Sequence, residues 1–211
     1  MTNAVFDREC RACSRLAKFL DDVNERHPEY YCRPVPPFGD TSARLLIVGL
    51  APGMHGANRT GRPFTGDHAG ILLFETLHKF GFSTHAESLA ADDDLALIDC
   101  RITNAVKCLP PDNKPVGAEI NTCNSFLANE LRRLPQASIV LALGGIAHRA
   151  IIKALHRRQA DFKFAHAALH DLECFLLLNS YHCSRYNTNT GRLTTDMFAS
   201  IFSQVRELLD Q

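Results

Sequence analysis

The chain predicts an α/β fold in which a parallel sheet is covered by helices on both faces, and three observations carry that prediction. Four short apolar runs, ARLLIVGL (43–50), LIDCRITNAV (97–106), SIVLALG (138–144) and ECFLLLNSY (173–181), have the length and branched composition of buried strands. Segments of helical period lie between them, at 68–80, 116–134 and 145–157. Each run is followed directly by glycines, prolines or polar turn residues, so four loops gather at the carboxyl edge, where open α/β sheets collect their ligands.

Taken in order, residues 10–26 fit a first helix, and HPEYYCRPVPPFGD reads as a loop leading into the first strand. The first strand ends in GLAPGMHGANRTGRPFTGD (49–67), and a helix then covers 68–80. The second strand ends in NAVKCLPPDNKP before the helix at 116–134, and the third ends in GGIAH before the helix at 145–157. The fourth ends in SYHCSRYNTNTGRL, and 194–209 spaces its apolar residues by three and four as a closing helix does.

At 211 residues and 45% hydrophobic content the chain suits one domain spanning 1–211. Lys plus Arg equals Asp plus Glu at 23 each, so a nucleic-acid surface would have to come from local clustering. No stretch approaches the roughly 20 apolar residues of a membrane span, and the first residues lack a signal-peptide core. A cytoplasmic monomer with no membrane partner is expected. In a reducing compartment eight cysteines imply metal ligation, catalysis or burial rather than four disulfides.

The loop after the first strand could in principle cradle a phosphate, because Gly49, Gly53 and Gly56 open its backbone. It lacks both a GKS/GKT ending and a GxGxxG pattern, which argues against a nucleoside triphosphate. Phe64, between Pro63 and Thr65, is either a loop anchor or an aromatic shelf for a planar ligand. Asp67 stands where it would cap the following helix. Asn104 and His182, read as isolated strand-end residues, could equally be structural. Cys10 and Cys13 form a C-x2-C pair on the first turns of the predicted helix, and Cys108 and Cys123 flank fourteen residues. Four such thiols suit zinc or an iron-sulfur centre. Cys100 and Cys174, inside predicted strands, read as small buried hydrophobes.

Three separated segments, Gly49–Asp67, ITNAVKCLPP (102–111) and His182–Thr194, together resemble the family 5, or type B, uracil-DNA glycosylases, and the likeness runs from Cys10 to the final helix. The resemblance implies a three-layer α/β/α sandwich around a central four-stranded parallel sheet. It also implies removal of uracil, and of other deaminated bases, from DNA, with a 4Fe-4S cluster on Cys10, Cys13, Cys108 and Cys123 stapling the N-terminal helix. In that likeness Gly49, Ala51, Pro52, Gly53 and Phe64 would hold the base, Asn104 would read its edge and His182 would stand near its O2. Related glycosylases carry an acid where Leu50 or Ala51 stands here, which leaves Asp67 to orient water. Arg59, Arg62, Arg185, Asn187 and Arg192 would meet the DNA backbone or groove. A non-catalytic damaged-DNA-binding protein with the same cluster is the alternative, as is a zinc-holding small-molecule hydrolase.

Overall fold

The computed structural model describes residues 5–210. Its elements run in chain order as α1 (Ser14–Arg26), β1 (Phe38–Gly39), β2 (Leu45–Gly49), α2 (Ala57–Thr60), α3 (His68–Lys79), β3 (Cys100–Asn104) and α4 (Gly117–Arg132). They continue as β4 (Ile139–Leu143), α5 (Gly145–Ala154), β5 (Leu169–Asp171), β6 (Leu176–Ser180), α6 (Arg185–Asn189) and α7 (Thr195–Leu209). All four predicted strands and all five predicted helices form, each within a few residues of its expected limits.

The sheet has six strands in the order β1-β3-β2-β4-β6-β5, not four. The inner four, β3-β2-β4-β6, are mutually parallel, and the added β1 and β5 pair antiparallel at the two edges. Two or three residues with no apolar periodicity make each edge strand, so neither left a mark in the sequence. Both cover open edges of the parallel core.

Period-two alternation splits the core into two layers. Leu45, Ile47, Ile139, Leu141 and Leu178 face α3 and α7, while Leu46, Val48, Val140, Ala142 and Leu177 face α4 and α5. β2 and β4 are buried along their whole length, which is why their sequences are apolar at every position rather than at alternate ones. After the edge strand β1, the chain enters the parallel core at β2 in mid-sheet, steps outward to β3 and then crosses to β4 on the other side. The reversal lies between β2 and β4, and an open α/β sheet leaves its crevice there, beyond the carboxyl ends of the strands. Among the described residues, no helix is long and apolar enough to cross a membrane.

Candidate active site

A cavity of about 590 Å³ opens at that crevice and takes wall residues from the end of every inner strand. Phe64 and Asp67 reach it from the loop after β2, Asn104 from the tip of β3, Leu143 and Gly144 from β4, and His182 from just beyond β6. Phe64, Asp67, Asn104 and His182, 118 residues apart at the extremes, therefore share one chamber. Parallel strands produce this outcome, because every strand ends on the same side.

Asn104 is 4% exposed, and its Oδ1 has no hydrogen-bond partner. A buried acceptor left unpaired costs about 1–3 kcal/mol, so the site is built to receive a donor. Phe64 holds φ of 60°, a left-handed conformation rare for a bulky side chain. Its ring lies 6.0 Å from that of His182, at 26° between planes. Gly49 makes both placements possible: a Cβ there would stand 2.4 Å from Asn104 Oδ1 and 2.7 Å from Phe64 Cζ. The glycine that opens the motif accommodates the protein's own site residues.

Asp67 occupies the backbone position of an N-cap for α3, yet its side chain makes no bond to that helix. It turns instead into the glycine-rich loop and accepts from the Ala57 N–H at 3.3 Å. A Cβ on Gly56 would sit 2.0 Å from the carboxylate, and one on Gly53 would sit 2.4 Å from Oδ1. The room left by those two glycines, expected to admit a ligand, is filled by Asp67. Burial raises the Asp67 pKa, and the Ala57 N–H, Arg59, His55 and the Gly53 N–H oppose the rise. A desolvated carboxylate of raised basicity beside a cavity is suited to take a proton from water.

His182 has a buried Nδ1 without a partner, and burial lowers its pKa to about 4. The imidazole is therefore neutral at pH 7 and offers one N–H, which can strengthen its bond to a growing negative charge without first losing a proton. Its carbonyl accepts from Asn187 Nδ2 at 2.8 Å, which fixes the start of α6 against the strand end. Cys183 beside it is fully buried in the apolar core, its thiol pushed up to about 12 by burial, so it is no nucleophile.

Arg185, Asn187 and Arg192 line the outer wall, with the Arg192 guanidinium 4.6 Å over the Tyr181 ring. Arg59 is exposed, its Nε held by the His55 carbonyl at 2.8 Å. Arg62 corrects the expectation of a phosphate contact. It is 4% exposed and donates to Thr65 Oγ1, Ser88 Oγ and Asp93 Oδ2 at 2.9, 2.6 and 2.6 Å, with Phe38 under its guanidinium. It braces the loop from inside. Ala51 and Gly53 line the cavity, whereas Pro52 is buried and absent from its wall. Sequence reasoning missed His68, whose buried Nδ1 is also unpartnered in the wall, and the aromatic residues Phe164, Tyr181 and Tyr186. His68 was legible as the residue after Asp67 at a helix start, but nothing in the sequence tells which way that first side chain points.

A second cavity, of about 110 Å³, is lined by Cys10, Cys13, Cys108 and Cys123. Cys13 is the residue before α1, so the C-x2-C pair precedes the helix rather than riding on its first turns. Burial first, then neighbouring charge at Cys123, Cys10 and Cys13, pushes the Cys108 thiol up to about 12. Among the described residues no group of three or more His, Cys, Asp or Glu side chains is set closely enough to hold a metal ion. Arg15 forks onto Glu119 at 2.7 and 2.8 Å, tying α1 to α4 beside this cavity. Cys100 is buried as expected, but Cys174 is exposed, because it falls in the turn before β6 and not within the strand.

Residues 36–206 match the family model described as the uracil DNA glycosylase superfamily. This chain belongs to that superfamily, on its type-5 branch. It is 44% identical over 205 residues to the type-5 uracil-DNA glycosylase of Thermus thermophilus, covering 94% of this chain and 93% of that protein. It is 41% identical over 196 residues to the type-5 uracil-DNA glycosylase of Pyrobaculum aerophilum, covering 91% and 85%. The crystal structure of wild-type Pedobacter heparinus SMUG2 shares the fold at a TM-score of 0.51 and 14% identity, over 81% of this chain and 77% of that one. The members of this superfamily are hydrolytic glycosylases, and this chain is an enzyme of that kind.

Proposed function

We propose that this glycosylase hydrolyses the N-glycosidic bond of uracil in DNA, releasing the free base and leaving an abasic site. The observation that carries the reading is the convergence of Phe64, Asp67, Asn104 and His182 in one cavity at the strand ends, with Asn104 Oδ1 and His182 Nδ1 unpartnered. A base inside a duplex cannot reach such a cavity, so the nucleotide must rotate out of the stack, at a cost of a few kcal/mol. Phe64 then stacks under the pyrimidine, and Asn104 accepts from its N3–H and donates to a carbonyl oxygen. As the bond from C1′ to the base breaks, its electron pair leaves with the base. The His182 N–H meets the charge growing at O2. Water adds to C1′ from the opposite face and gives its proton to the Asp67 carboxylate.

Room beyond a single ring, with apolar Leu50 and Ala51 in the wall, supports acceptance of other deaminated bases such as hypoxanthine and xanthine. Arg59, Arg185, Asn187 and Arg192 supply backbone and groove contacts around the mouth. Cys10, Cys13, Cys108 and Cys123 would hold a 4Fe-4S cluster: no three of them converge on one point as a single ion requires, and four thiols spread around one shared cavity suit the larger body of a cluster. Bound there, the cluster supplies a cross-link between the start of α1, the segment after β3 and α4.

The test is incubation with a duplex bearing one uracil. Alkali-labile cleavage at the lesion, lost in His182→Ala and reduced in Asp67→Asn, is expected. Binding without any abasic product would instead leave the non-catalytic damage-binding alternative standing. Turnover of uracil with no activity on hypoxanthine or xanthine would remove the wider range.

A further inference from the structure

Lys107 is 1% exposed, among the most deeply buried side chains of the protein. Its ammonium donates to Glu130 Oε1 at 2.6 Å and to Thr103 Oγ1, and Thr103 Oγ1 itself lies 3.2 Å from the same carboxylate oxygen. Its peptide N–H donates to Cys123 Sγ at 3.3 Å, and its carbonyl accepts from the Val35 N–H at 2.7 Å. Cys123 and Glu130 are seven residues apart on α4, about two turns or 10 Å along one face. Lys107 thus lies along α4, with its backbone at the cysteine cavity and its ammonium two turns away.

That ammonium is anchored behind the tip of β3. Thr103 immediately precedes Asn104, and the next two peptides close onto the catalytic loop: Ala105 N–H donates to Gly49 O and Val106 N–H to Leu50 O, both at 3.0 Å. A buried ion pair is a poor device for stability alone, since desolvating two charges offsets most of their attraction and an apolar pair of similar volume does as well. What the apolar pair lacks is direction. Three hydrogen bonds meeting on one ammonium and one carboxylate set the distance and register between α4 and the end of β3.

We propose that Lys107 is a positioning residue, a strut that makes the cysteine cavity and the Asn104 end of β3 one mechanical unit. It holds the edge-reading amide at fixed depth in the base cavity while touching no substrate, and in that respect it rests on the reading of Asn104 given above.

Lys107→Met keeps the peptide N–H to Cys123 and the buried stem but removes the ammonium. In the protein as purified, with iron content measured, amide exchange at Ala105 and Val106 should quicken at least tenfold in the variant, while exchange at Leu141 in β4 stays at the wild-type rate. On a uracil duplex KM should rise several-fold with a smaller fall in kcat, the mark of a displaced reader rather than a lost catalytic group. Wild-type exchange at both amides, or an unchanged KM, would overturn the strut. Thr103→Val, which cuts only the tie to β3, should quicken the same two amides, and it decides the matter if the lysine variant fails to fold. The exchange measurement needs no substrate. A wild-type protein that makes no abasic site would sink the glycosylase reading while the strut is still judged on its own.

Discussion

The base cavity takes Asn104 from the tip of β3, the cysteine cavity takes Val106, Lys107 and Cys108 from the segment just after it, and the two are built on opposite rules. Around the base cavity, Asn104 Oδ1, His68 Nδ1 and His182 Nδ1 are buried and unpartnered, Phe64 is held at φ of 60°, and the acid Asp67 is largely desolvated. Around the cysteine cavity most of the polar groups are paired: Arg15 forks onto Glu119, the Val116 N–H donates to Glu119 Oε2 at 2.8 Å, and Lys107 meets Thr103, Glu130 and Cys123, with Glu130 Oε2 left without a partner. A chamber that must receive a ligand keeps its hydrogen-bonding capacity open at a cost in stability, and a joint that must hold chain segments together uses it up. Each region should therefore fail in its own way.

The contrast breaks most sharply at His182. His182→Ala should lower kcat by about 10²–10³-fold, the scale for one donor facing a developing oxyanion, with Tm held or raised because a buried ring nitrogen without a partner is gone. Single-turnover release of uracil and a thermal melt together check this; a stable fall in Tm with unchanged kcat would erase the distinction between the two cavities. Asp67→Asn should lower kcat by about 10²-fold through loss of the base while leaving affinity for the uracil duplex near wild type. Asn104→Ala should weaken discrimination of uracil from cytosine by roughly 10–100-fold, read as the ratio of kcat/KM values, since the Oδ1 acceptor for the uracil N3–H and the Nδ2 donor to its carbonyl are lost together.

At the other cavity the readout reverses. Cys108→Ala should remove iron and visible colour and lower Tm by roughly 5 °C, while the folded fraction keeps its kcat. Loss of kcat at unchanged Tm would place chemistry where only a joint is expected.

The smallest effect is in pH dependence. Burial holds the folded His182 pKa near 4 against 6.5 for the free side chain. The unfolded chain therefore binds a proton first as pH falls. The stability tied to a neutral His182 is whole above pH 6.5 and is lost between pH 6.5 and about 4. His182→Ala should flatten that part of the stability curve. Activity should show no inflection at pH 6.5; its acid limb should follow Asp67, whose pKa burial raises above the usual carboxylate value, and should flatten in Asp67→Asn.

How much of this was legible depends on range. Strands β2, β3, β4 and β6 were readable because burial on both faces leaves unbroken apolar runs, and α3, α4, α5 and α7 because one-sided burial imposes a helical period. The strand-end position of Asn104 and His182 followed from those limits. Edge strands β1 and β5 were not readable, since two or three residues carry no period. Asp67 and Arg62 looked like a cap and a phosphate contact, because their immediate neighbours support those roles. Residues ten and thirty-one positions away in the chain, Ala57 and Asp93, are what reassign them.

By itself the sequence determined the alternation of elements, the four loops at one edge, the type-5 motifs within them and the four cysteines at their spacing, all of which depend on neighbours along the chain. Tertiary structure alone decided which polar atoms find partners. It turned Asp67 into the room left by Gly53 and Gly56, buried Arg62 against Asp93, left Asn104 Oδ1 and His182 Nδ1 without partners in the cavity wall, and laid Lys107 along α4. Hydrogen bonds and desolvation are settled by atoms within a few ångströms in space, and the chain brings those atoms together from positions that no local pattern connects.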